Sequence, residues 1–181
     1  MVGVNANGLV ERLCPDWAPG ATAGLHARLV RELLEGRDDL SVLLVPHARR
    51  AQADDAALAR CVRGLLPARL GGRCAVAEGL GAAQAKAVCA RLDLVVTGRM
   101  HLGIAALGAG TPAVCMDYQG KVAGLYEHVG LTGLSFLPGD LREPGAVASL
   151  ALEALGRRDL RGRLRGALAR VRRLARGNLD L

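Results

Sequence analysis

The sequence predicts an α/β fold: a Rossmann-like three-layer sandwich with a mostly parallel sheet of about six strands. Three observations carry the prediction. Short apolar runs bounded by breakers recur along the chain: Val2 to Asn5, Ser41 to Val45, Cys74 to Ala77, Leu92 to Val96, Ala113 to Met116 and Leu134 to Leu137. Helical patterns separate them, as strands that cross over helices to parallel neighbours require. The composition is 51% hydrophobic but only 2% aromatic, so Leu, Val and Ala must fill the core, which suits a sheet covered by Ala-rich helices.

The elements follow in order. Val2 to Asn5 is a first strand with no lead-in, closed by the turn signal Asn7-Gly8. Residues 9–20 read as an irregular loop that faces ligand, with Trp17 either anchoring it or meeting a sugar ring. Thr22 opens a helix through Glu35 with Leu25, Leu29, Leu33 and Leu34 on one face, stopped by Gly36. Pro46-His47 follows the second strand. Asp54-Asp55 opens a helix to about Leu66, with Leu58, Val62 and Leu65 inward; acids in a first turn complement the helix dipole, and no third carboxylate stands nearby for a metal. After the third strand come Glu78 and Gly79, then a helix over Gln84 to Ala90. A helix from Val122 to His128 ends at Gly130, and Pro144 starts another through Leu155. Residues 157–181 carry a basic terminal helix with Leu160, Leu164, Leu168, Val171 and Leu174 at helical spacing. The whole of 1–181 reads as one domain.

The net charge is +7, almost all from Arg; Lys86 and Lys121 are the lysines. Such a balance attracts anions. Scarce aromatics argue against a stacking platform for single strands, and no nucleic-acid module is recognisable, so nucleic acid is not an expected partner. For the terminal helix the first reading is that its stripe closes the domain, and peripheral contact with anionic lipid is the second. The five cysteines, Cys14, Cys61, Cys74, Cys89 and Cys115, show no CxxC spacing and read as free thiols in a reducing compartment. No signal segment opens the chain and no apolar run approaches the roughly 20 residues that span a bilayer. The expected home is the cytoplasm.

The chemistry gathers between Asp93 and Lys121, DLVVTGRMHLGIAALGAGTPAVCMDYQGK. A buried strand breaks at Thr97-Gly98, Arg99 and His101 follow at once, and a helix of small residues begins. Ligands of open parallel sheets bind outside the carboxyl ends of the strands. Free backbone N–H groups and the helix dipole favour an anion there. Gly98 is expected to let backbone approach a ligand. Arg99 can grip a phosphate or carboxylate bidentately, and His101 can exchange a proton near neutrality. On spacing alone, a surface ion pair for Arg99 and a plain helix-start role for His101 are equally good readings. His47, at another strand end, is either a ligand contact or a loop histidine. Scattered histidines and carboxylates suggest no metal site.

The run from Asp93 to Leu131 resembles the C-terminal signature of the polysaccharide pyruvyl transferase family. Its elements are Arg99-x-His101, a small-residue helix, Gly110-x-Pro112, a strand leading to Tyr118, then Lys121, and a helix ending Gly130-Leu131; LLVPH at 43–47 resembles the second strand of that half. The resemblance implies the C-terminal domain of a GT-B-like, two-domain enzyme that transfers a pyruvyl group from phosphoenolpyruvate to hydroxyls of cell-surface polysaccharide. It implies that Arg99 binds the donor's phosphate or carboxylate, that His101 is the acid/base, that Lys121 adds positive charge and that Tyr118 lines the pocket. It implies no cofactor besides the donor. The family's N-terminal half has no counterpart here, so a missing N-terminal domain or a second copy is expected to complete the cleft. Two other readings stay open: the nucleotide-sugar half of a GT-B glycosyltransferase, and a non-catalytic binding module.

Overall fold

A computed structural model describes residues 1–50 and 53–177. The order is β1 (Val2–Asn5), α1 (Leu9–Leu13), α2 (Ala21–Gly36), β2 (Val42–Leu44), β3 (Arg49–Arg50), β4 (Ala53–Asp54), α3 (Asp55–Gly64), α4 (Ala68–Gly71), β5 (Cys74–Val76) and α5 (Ala82–Cys89). Then come β6 (Leu94–Thr97), α6 (Met100–Gly108), β7 (Ala113–Met116), α7 (Lys121–Val129), β8 (Ser135–Phe136), a 3-10 turn (Pro138–Arg142), α8 (Pro144–Gly156) and α9 (Leu160–Gly177).

Six strands form one parallel sheet in the order β5-β2-β1-β6-β7-β8; β3 and β4 pair antiparallel outside it. β1, β6 and β7 are buried at every residue, as central strands covered on both faces must be. α2, α3 and α8 pack together on one face, while α5 packs on α6 and α7 on α9. This is the doubly wound, three-layer arrangement expected from the alternation of apolar runs and helices. The chain winds outward from β1 to β2 and β5, then returns to the other side of β1 and continues through β6, β7 and β8. The reversal falls between β1 and β6, where Asn5 stands opposite Thr97. A crevice outside the carboxyl ends of two such strands is where open α/β sheets take ligands.

α6 owes its seat to small residues. A Cβ at Gly103 would press on Cys115 Sγ, so only glycine lets this helix lie against β7 at that depth. α7 is tied to the same strand by Tyr126, 1% exposed, whose hydroxyl donates to the carbonyl of Ala113 at 2.5 Å.

Some local expectations need correction. Residues 9–13 are not loop but the short helix α1; Val10 is its one buried residue, too little periodicity to show in sequence. Leu65 is 58% exposed rather than inward: it is the cap just past the end of α3 at Gly64, and the next residue, Leu66, takes the buried place at 8% exposed. The terminal helix begins at Leu160 rather than 157, since Arg157 caps α8; residues 178–181 lie outside the described residues.

α9 buries Leu160, Leu164 and Leu168, while Leu174 is 60% exposed. Its arginines mostly serve the ends of other elements. Arg163 donates to the carbonyl of Gly130 at 2.6 Å, Arg170 to that of His128 at 2.8 Å, Arg172 to that of Gly108 at 3.4 Å, and Arg161 to that of Leu92 at 2.5 Å. Carbonyls at the ends of α6 and α7 lack helical partners and carry the negative pole of the dipole, so guanidinium groups satisfy both needs. Much of the basic charge of this helix is therefore structural. The cysteines are free; Cys61 is exposed, and burial pushes the thiols of Cys74, Cys89 and Cys115 up to about 11. Among the described residues no helix is long and apolar enough to cross a membrane.

Candidate functional site

The turn from β6 into α6 is closed by Thr97. Its hydroxyl oxygen accepts the N–H of Arg99 at 2.9 Å, a side-chain turn that takes the chain sharply off the sheet. Arg99, the N-cap of α6, makes no side-chain cap bond, so among the described residues no side chain caps the start of this helix, and its positive pole faces the crevice. Gly98 has a different task from the one its sequence suggests. A Cβ there would overlap Nδ2 of Asn7 and come within 3.0 Å of Met116 Cε. The space beside Gly98 is filled by the protein itself, and the glycine admits Asn7 rather than a ligand.

Arg99 points back across the switch point to Asp55. Its Nη2 donates to Asp55 Oδ1 at 2.8 Å and its Nε to Oδ2 at 3.3 Å, a two-pronged ion pair. Asp55 is fully buried, and Arg99 keeps 19% of its side chain exposed. The carboxylate also accepts from Asn5 Nδ2 at 3.1 Å and from the backbone N–H groups of His47 at 3.2 Å and Ala48 at 3.0 Å. Asn5 in turn donates to the carbonyl of Val45 at 3.0 Å. The ends of β1, β2 and β6 thus converge on one buried carboxylate. The sequence reading assigned the Asp54-Asp55 pair to capping. Only Asp54 caps: its side chain accepts the N–H of Ala56 at 2.9 Å.

His47 is half-buried on the loop after β2 and close enough to its neighbours to feel their charge. Burial lowers its pKa most, nearby Asp55 opposes this, and its neighbours His101 and Arg99 lower it further. His101 is exposed in the first turn of α6. His47, Arg99 and His101, separated in the chain, therefore share one electrostatic neighbourhood over Asp55. The ion pair of Arg99, weighed in the sequence as an alternative to ligand binding, is real. Among the described residues, Asp55 is the acceptor of the Arg99 guanidinium N–H groups, through Nε and Nη2.

Tyr118 and Lys121 stand at the next strand end. Asp117, after β7, accepts the N–H of Gln119 at 3.3 Å and that of Ala123 at 3.1 Å, which caps α7. Lys121 is the first residue of that helix and exposed, and Tyr118 is 37% exposed. No hydrogen bond or ion pair among the described residues joins either of them to the Arg99 group. Trp17 is held at the loop before α2, with the guanidinium of Arg142 5.8 Å from its ring centre and Arg142 paired to Asp16.

Asn5, Asn7 and Asp55 are the members of this neighbourhood that sequence reasoning passed over. Asn5, a polar residue closing an apolar strand, was the available signal. Among the described residues no group of three His, Cys, Asp or Glu side chains could hold a metal ion. Compared with known families, residues 17–120, more than half of the chain, match the model of the polysaccharide pyruvyl transferases. That match spans β2, β6, α6 and β7 and takes in His47, Asp55, Arg99 and His101. No curated protein matches the chain.

Proposed function

Because the chain belongs to the polysaccharide pyruvyl transferase family, we propose that it transfers a pyruvyl group from phosphoenolpyruvate to a hydroxyl of a cell-surface glycan and closes it into a ketal. The observation that carries this reading is the meeting of Arg99, His47 and His101 at the switch point, beside the uncapped start of α6. A small donor with two anionic groups, a phosphate and a carboxylate, needs such a place: fixed positive charge, a helix N-terminus and a group that moves a proton.

In this reading Arg99 and the α6 N-terminus hold the donor's phosphate or carboxylate, and His101 is the acid. His101 gives a proton to the enol carbon, C3, which becomes a methyl group and leaves C2 electron-poor. A glycan hydroxyl adds to C2 and passes its proton back to His101. The C2–O bond to phosphate then breaks, phosphate leaving with the electron pair, and a second hydroxyl adds to C2, gives its proton to the departing phosphate and closes the ring. His47 contacts the donor from the opposite side. Tyr118 and Lys121 take the part that extends toward β7, and Gly98 contributes through the turn it permits. The reaction asks for no cofactor beyond the donor. A second domain or a second copy would supply the acceptor side, as in a GT-B-like cleft, and the proposed setting is the cytoplasm.

The test is thermal. Millimolar phosphoenolpyruvate should raise the melting temperature, and Arg99→Ala, judged against its own ligand-free melt, should lose the rise. No rise in the native chain would overturn the reading. A rise with a nucleoside diphosphate and none with phosphoenolpyruvate would move the site to the nucleotide-sugar class.

A further inference from the structure

We infer that Asp55 is the positioning residue of the anion site: it aims the guanidinium of Arg99 and locks the His47 loop to it. The inference rests on the reading of Arg99 as the donor-binding cation, and it concerns a residue outside the expected site.

The physical case begins with burial. Asp55 has no solvent exposure, and an ionised carboxylate is tolerated there only with compensation. The compensation is unusually complete. Oδ2 accepts from Asn5, His47, Ala48 and Arg99 Nε, and Oδ1 accepts from Arg99 Nη2. The backbone of Asp55 also donates to the carbonyl of Ala48 at 3.1 Å, so the loop is gripped from both directions. These bonds hold Asp55 at one orientation, because Asn5 sits on the central strand and α3 starts at Asp55 itself.

Arg side chains lose much rotamer freedom when fixed. Here that ordering is complete before any ligand arrives, since the two-pronged contact fixes the plane of the guanidinium. The Arg99 side chain keeps 19% of its surface exposed, against none for Asp55. A carboxylate next to an anion-binding arginine lowers the net positive charge of the site. An arrangement selected for charge alone would omit it. One that needs a guanidinium at a set angle, 44 positions along the chain from its anchor, has use for it.

The two accounts give opposite signs. If Asp55 merely masks charge, Asp55→Asn tightens the binding of phosphoenolpyruvate. If it positions Arg99, the same change weakens binding at least tenfold despite the added positive charge. Titration calorimetry on the native chain, Asp55→Asn, Arg99→Ala and the double variant reads this, and the double variant should bind no worse than Arg99→Ala. Tighter binding, or losses that multiply, overturns the inference. A donor-free readout separates this from the donor reading. The Nε–H resonance of Arg99 should exchange slowly with water in the native chain and quickly in Asp55→Asn, with the backbone amide spectrum elsewhere retained. Should Asp55→Asn not fold, Asp55→Glu, which keeps the charge and displaces it by a methylene, takes its place in both measurements. A native chain that ignores phosphoenolpyruvate sinks the donor reading, while an unaltered Arg99 Nε–H resonance in the variant sinks the role of Asp55.

Discussion

Asp54 and Asp55 are neighbours of identical chemistry with unrelated work. One is an exposed cap; the other is a buried anchor for a strand end 44 positions away. Nothing local tells them apart, because what makes Asp55 an anchor is the arrival of Asn5 and Arg99 through the sheet. Arg99 and His101 were legible for the opposite reason: a strand, a break and a helix start are local patterns, and their position at a carboxyl end follows from the fold class. Gly98 was legible as special but not for its reason, which is Asn7. Replacing Gly98 with Ala should cost about 1–3 kcal/mol by overpacking, since the buried Asn7 amide and the end of the buried Met116 side chain must both move. Asn7→Ala in the same chain should return part of the loss, because it removes the overlapped atom and also a buried Oδ1 that has no partner among the described residues. Urea denaturation of the two single variants and the double one measures this, and strictly additive losses would contradict it.

At the scale of elements, the central strands were the most legible part, because full burial on both faces writes continuous apolar runs. α1 and α4, of five and four residues, and the β3–β4 pair were not, because elements that short carry no period. α9 was expected to close the domain with a leucine stripe; Leu160, Leu164 and Leu168 are buried and Leu174 is not, and its arginines acquire their meaning only from the helix ends they meet. Two kinds of contact then compete to explain its attachment. Leu164 is completely buried, and Leu164→Ala should cost about 2–5 kcal/mol. Arg163 and Arg170 are exposed and reach carbonyls of Gly130 and His128, so replacing both with Ala should cost less, about 1 kcal/mol in total. Denaturant midpoints order the two; a larger loss from the arginine pair would mean that capping, not burial, holds α9 down.

The molecule as a whole hangs its polar centre beneath the switch point, and this makes its stability sensitive to pH. Near Asp55, α2 contributes His26, 2% exposed, whose Nδ1–H donates to the carbonyl of Thr22 at 2.8 Å. Burial lowers its pKa, against smaller opposing effects of that bond and of the Asp55 charge. His47 is lowered as well, again chiefly by burial. The sign follows. An unfolded histidine titrates near 6.5. As the pH falls through that value the unfolded chain takes up protons that the folded chain refuses, so the unfolded state gains. The stability is complete above the ordinary histidine value and drains as the pH falls from there toward the lowered values. Asp16, Asp39 and Asp159 are also lowered, but they titrate below the ordinary aspartate value of about 4 and stay out of this window. The melting temperature should hold steady between about pH 8 and pH 7 and fall between about pH 7 and pH 5. His26→Asn keeps a donor near the position of Nδ1 and removes the titration. It should melt lower than the native chain at pH 8 and lose less between pH 7 and pH 5. Equal slopes for the two proteins would show that the proton uptake lies elsewhere, with His47 the next residue to replace.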